Sequence, residues 1–99
     1  MATIEPTELK KRKENREALH VIDVREEWEY DEINIGAMNI PLHSLPSRLT
    51  EIERWKDQEI ILHCKSGSRS KQAQKFLIRQ GFLHTRSLNG GIDGYLSLA

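Results

Sequence analysis

The chain has 99 residues, 37% hydrophobic and 30% charged, enough for one modest core and a single domain over 1–99. Basic and acidic residues balance at 15 each, so no overall field draws in nucleic acid or a membrane surface. No apolar run approaches the length of a membrane span, the first residues lack the regions of an export signal, and a lone cysteine allows no internal disulfide. Together these point to a reducing, cytoplasmic setting.

Ile4 is expected in a short first strand. Pro6 suits the first position of a helix, with Glu8 in the first turn and Lys10, Lys11, Arg12 and Lys13 beyond it, a polarity that complements the helix dipole. Glu5, Glu8, Glu14 and Glu17 interleave with that basic run, which reads as a solvated face rather than a nucleic-acid patch. Leu19 to Val24, β-branched and apolar, reads as the second strand and runs into Asp23-Val24-Arg25. Ligands in open α/β sheets gather beyond the carboxyl ends of strands, where Asp23 and Arg25 stand; the pair itself reads as a structural salt bridge. Glu26 to Ile33 predicts a short helix that turns Trp28 and Ile33 inward. Its acids, Glu26, Glu27, Glu29, Asp31 and Glu32, read as facing water and not as a catalytic carboxylate pair.

Met38 to Pro41 predicts a short strand, with Pro41 suited to a sheet edge. Leu45, Leu49 and Ile52 have helical spacing, and Trp55 reads as a core or rim aromatic. Ile60, Ile61 and Leu62 form the unbroken apolar run of a strand covered on both faces. Cys64 follows, then Lys65, the flexible Ser66-Gly67-Ser68, Arg69 and Ser70. A helix carries Ala73, Phe76 and Leu77 on one face and ends at Gly81. Thr85 to Leu88 predicts the last strand, and Asn89-Gly90-Gly91 turns into a final helix with Ile92, Tyr95 and Leu96 on one face. Gly90 to Gly94 lacks the spacing of a dinucleotide fingerprint. His20, His43, His63 and His84 lack ligand spacing, which argues against a metal site. Strands alternating with helices predict an α/β fold: a small parallel sheet, helices on both faces, right-handed crossovers.

The order strand, cysteine, compact loop, helix has a chemical consequence. A free thiol has a pKa of about 8.5, so only a few per cent is thiolate at neutral pH. Unpaired N–H groups at a helix N-terminus favour negative charge, and Lys65 and Arg69 place two cations in the same loop. Settings of this kind bring cysteines down to roughly 3.5–7.5. Gly67 tolerates the positive φ that an inward-facing amide requires. His63 adjoins Cys64 on the strand and so points to the opposite face, which argues against a Cys–His acid–base pair.

His63-Cys64-Lys65-Ser66-Gly67-Ser68-Arg69-Ser70 resembles the active-site loop of rhodanese-type sulfurtransferases. Val21-Ile22-Asp23-Val24-Arg25, Glu29-Tyr30, Gly36-Ala37-Met38-Asn39-Ile40-Pro41 and Leu88-Asn89-Gly90-Gly91-Ile92 are similar to that family's other signatures, in order, from about Ile4 to Leu98. Glu32-Ile33-Asn34-Ile35 is one residue shorter than the family's usual Gly-His-Ile approach, a contraction that resembles rhodanese domains fused to ubiquitin-activating-like adenylyltransferases. The resemblance implies a rhodanese-like fold and a covalent sulfur transfer through a Cys64 persulfide, with Lys65, Ser66, Gly67, Ser68, Arg69 and Ser70 as the substrate-binding loop. It also implies that Asp23 and Arg25 brace that loop and that neither metal nor organic cofactor is needed. The donor would be a small anion such as thiosulfate, attracted by Lys65 and Arg69, or the persulfide of a cysteine desulfurase. The acceptor would be a thiol, cyanide or a sulfur-carrier protein.

Two other readings compete. A tyrosine-phosphatase or arsenate-reductase loop also pairs Cys with Arg, but needs five residues between them, whereas four separate Cys64 from Arg69. A non-catalytic rhodanese-fold binding module commonly loses the cysteine that this chain keeps. A persulfide carrier in a protein relay lies between enzyme and module, and the residues alone leave that choice open.

Overall fold

The computed structural model describes residues 1–98. Strands β1 (Thr3–Ile4), β2 (Val21–Asp23), β3 (Met38–Asn39), β4 (Ile60–His63) and β5 (Thr85–Leu88) form one sheet in the order β1-β5-β4-β2-β3. Every pairing is parallel. Helices α1 (Pro6–Glu14), α2 (Glu27–Glu32), α3 (Ser68–Arg79) and α4 (Gly91–Leu96) alternate with the strands. This is the α/β arrangement expected, and no helix among the described residues is long and apolar enough to cross a membrane.

Alternation along β4 splits the core in two. Ile60 and Leu62 face one side with Ile22, Val24, Ile40, Ala73 and Leu77, while Ile61 faces the other with Ile4, Leu9 and Leu88. A parallel strand buried on both faces is why β4 reads as continuous apolar sequence. Pro6 occupies the first turn of α1, and Gly81, at φ +92°, follows the end of α3. Met38–Asn39 is an edge strand, as expected from Pro41.

Three expectations are corrected. Leu42–Glu51, carrying Leu45 and Leu49, is a 3₁₀ helix and not an α-helix; Ile52 follows it, and a second 3₁₀ turn covers Glu53–Trp55. Pro46 lies inside the first of these, where an α-helix would press its ring against the carbonyl four residues back. Trp28 and Ile33, expected inward, are 65% and 50% exposed. Polar contacts set the roll of α2: Glu29 is bound by Arg69, and Tyr30 Oη donates to the Ala37 carbonyl at 2.6 Å. With Glu29 and Tyr30 turned inward, the 100° step per residue carries Trp28 outward. Ile33 is beyond the helix in extended backbone, φ −158°. On α4, Ile92 is buried and Tyr95 half-buried, but Leu96 is 46% exposed.

The sheet order places β4 centrally. From β2 the chain moves outward to β3, and from β4 it moves the other way to β5. The carboxyl ends of β2 and β4 therefore flank a topological switch point, where a crevice opens between diverging connections. Asp23 ends β2 there, and Cys64 directly follows β4.

Candidate active site

Cys64 leaves β4 and enters a turn that Gly67 closes. At φ +122° the Gly67 amide points back into the turn and donates to Cys64 Sγ at 3.0 Å. Ser70, in the first turn of α3, has its Oγ 3.6 Å from the sulfur, donates to the Gly67 carbonyl at 3.0 Å and shares a 2.7 Å hydrogen bond with Ser87 Oγ. A hydroxyl can rotate to donate to sulfur once the sulfur is ionised. Cys64 is 1% exposed and packs beside the α3-side core, yet its sulfur meets a backbone amide and a serine hydroxyl and not hydrocarbon alone.

The turn is fixed from behind by α4. Ile92 N–H donates to the Cys64 carbonyl at 2.9 Å and Asp93 N–H to the Lys65 carbonyl at 3.1 Å. This approach leaves no room for a side chain at Gly91, where a Cβ would meet the Lys65 carbonyl and lie 2.7 Å from that of Cys64.

Both loop cations are engaged. Arg69 donates to the two Glu29 carboxylate oxygens at 2.6 and 3.0 Å, and this hydrogen bonding holds the Glu29 pKa down to about 2. Lys65 Nζ lies 3.5 Å from Asp93, and both side chains are exposed. Of the loop residues, Ser66 and Ser68 face solvent, while Gly67 and Ser70 line the sulfur.

Asp23 and Arg25 form a buried pair, Nη2 to Oδ2 at 2.7 Å and Nε to Oδ1 at 3.0 Å. The guanidinium also donates to the Ile33 carbonyl at 2.7 Å and the Glu29 carbonyl at 3.4 Å. Its hold therefore falls on α2, and it reaches the loop through Glu29 and Arg69. His63 is buried, its Nδ1 3.3 Å from the Cys64 carbonyl and its Nε2 3.6 Å from Asp23. Burial pushes the imidazole below its ordinary pKa, against the opposing pull of Asp23.

Glu29, Ser87 and Gly91 join the site: Glu29, expected to face water with the other α2 acids, is instead turned inward by its ion pair with Arg69, and Ser87 reads in the sequence only as part of the last strand. The Gly90-Gly91 doublet was the available signal for a close approach. Nothing local marks Glu29 as the partner of a cation forty residues away.

Fold and site together define a class: a parallel α/β domain that presents one cysteine to a loop amide at the carboxyl end of its central strand. The Rhodanese-like domain family model matches residues 5–98, and the chain belongs to that family. It is 34% identical over 90 residues to a sulfurtransferase of Allochromatium vinosum, covering 90% of this chain and 82% of that protein. It is 32% identical over 74 residues to thiosulfate sulfurtransferase PspE of Escherichia coli, covering 74% of this chain and 71% of that one. The crystal structure of a rhodanese-like domain protein from Staphylococcus aureus superposes with a TM-score of 0.88 at 25% identity, covering 96% of this chain and 91% of that one.

Proposed function

We propose that the protein is a sulfurtransferase that moves sulfane sulfur from a donor to a thiophilic acceptor through a persulfide on Cys64. The observation that carries this reading is the Gly67 N–H directed at Cys64 Sγ at 3.0 Å from a turn held by α3 and α4. With thiosulfate, the Cys64 thiolate attacks the outer sulfur, the S–S bond of the donor breaks, and sulfite leaves with the electron pair. The product is an anionic persulfide in the same turn. An acceptor nucleophile then attacks the terminal sulfur, and the bond electrons return to Cys64 as thiolate. Neither step changes the overall oxidation level or needs an added oxidant.

A side chain that is 1% exposed favours a donor with a slender terminal sulfur over a bulky electrophile. The likeness to proteins named sulfurtransferase and thiosulfate sulfurtransferase supports the same chemistry. Placed with thiosulfate and cyanide, the wild-type chain should form thiocyanate catalytically, and Cys64→Ser should lose that activity while keeping its circular dichroism spectrum. Turnover by Cys64→Ser equal to wild type would remove the cysteine from the reaction.

A further inference from the structure

We infer that the physiological exchange partner is a protein presenting its thiol or persulfide on a cationic segment with an apolar anchor, docked against α2 and α4. The inference rests on the sulfurtransferase reading and adds the substrate class. Three observations support it.

Each loop cation already faces a carboxylate, Arg69 that of Glu29 through two hydrogen bonds and Lys65 that of Asp93 across an exposed contact. An anionic donor must compete with a carboxylate already in place for each cation.

Beside the loop lies a hollow of about 170 Å³ whose lining includes Lys65, Ile92, Trp28, Ile33, Leu96 and Glu32. Of the five large apolar side chains exposed among the described residues, Trp28, Ile33 and Leu96 all converge on this hollow. That concentration marks a contact surface rather than scattered surface apolarity. Trp28 also borders a second hollow with Glu26, Glu27, Asp31 and His43, so its indole stands as a ridge between the two.

The surround is acidic. Glu27, Asp31 and Glu32 are exposed on α2, whose last turn carries no basic residue. Asp31 and Glu32 have no ion-pair partner among the described residues. The field repels thiosulfate, nucleic acid and anionic lipid, and attracts a lysine- or arginine-bearing chain. The apolar trio then supplies the anchor that charge alone lacks.

The transfer balances without a co-reactant. A thiolate on the docked segment attacks the outer sulfur of the Cys64 persulfide, a new S–S bond forms on the partner, and the old S–S bond breaks with its electrons kept by Cys64.

The test loads Cys64 with sulfur from excess thiosulfate, confirmed by intact mass, and discharges it with two synthetic peptides of equal length. Each holds one cysteine and one leucine, one being otherwise rich in lysine and the other in glutamate. At low salt the lysine peptide should discharge the persulfide about tenfold faster or more, an advantage that shrinks as salt rises. The double variant Asp31→Asn, Glu32→Gln should bring the two peptides close to parity. Trp28→Ala should slow the lysine peptide about fivefold while leaving discharge by 2-mercaptoethanol unchanged. Equal rates for both peptides on wild type, or an equal slowing of 2-mercaptoethanol by Trp28→Ala, would overturn the inference. Failure of Cys64 to load at all would instead sink the sulfurtransferase reading, and this inference with it.

Discussion

At the scale of single residues, two positions behind Cys64, His63 and Gly91, shape the turn and its stability. His63 sits under Cys64 with its imidazole buried, and burial lowers its pKa from the ordinary 6.5. The unfolded chain thus takes up a proton at mildly acidic pH where the folded chain does not, so stability falls as pH drops below about 6.5. The urea midpoint of the wild type should decline between pH 7.5 and pH 5, and His63→Gln should flatten that decline. An undiminished slope in His63→Gln would move the effect to another group. Gly91 acts through the absence of a side chain. Gly91→Ala forces a Cβ against the Lys65 and Cys64 carbonyls at a φ of +59°. It should cost about 2–4 kcal/mol in urea unfolding and slow persulfide formation, because α4 can no longer hold the turn. Wild-type stability in Gly91→Ala would show that the approach of α4 is slack.

At the scale of elements, α2 is the adjustable part. It has no buried residue of its own and is held by the Arg25 guanidinium, the Tyr30 hydroxyl and the Glu29–Arg69 pair. Glu29→Gln keeps the shape and removes the charge, leaving Arg69 without its counter-ion. The expected loss is about 1–2 kcal/mol, with faster proteolysis within α2. Because the Glu29 pKa is lowered to about 2 from an ordinary 4.5, its contribution is complete above the ordinary value. It is lost as pH falls from about 4.5 towards 2, a window separate from that of His63. Freeing Arg69 should also improve the use of thiosulfate by Glu29→Gln, seen as a lower KM; a KM that rises would show the ion pair aiding the anion. The orientation of α2 was the least legible feature of the sequence. Trp28 and Ile33 look like inward residues on a short amphipathic pattern, but six residues carry too little periodicity to outweigh an ion pair closed from forty positions away. The 3₁₀ stretch escaped for a different reason: the spacing of Leu45 and Leu49 suits an α-helix, and only Pro46 objects.

At the scale of the molecule, the features that could be read were those written into contiguous sequence. Ile60-Ile61-Leu62 names the central strand, Gly67 the turn and Gly81 the end of α3, and each stands where those residues placed it. What escaped was the commitment of charge. Lys65 and Arg69 look like free cations in sequence, and only the folded chain brings Asp93 and Glu29 against them. The sheet order then accounts for the position of this loop. It lies at the switch point between β2 and β4, with both core faces packed behind it and α4 closing it from the side. The rest of the domain serves to keep one sulfur beside one amide.

The central claim is that this sulfur accepts another. The direct measurement is the intact mass of the chain after exposure to thiosulfate, followed by peptide mapping. A gain of one sulfur atom, confined to the peptide containing Cys64 and removed by cyanide, is the result expected. An unchanged mass in a folded chain whose Cys64 still reacts with a small alkylating agent would contradict the account.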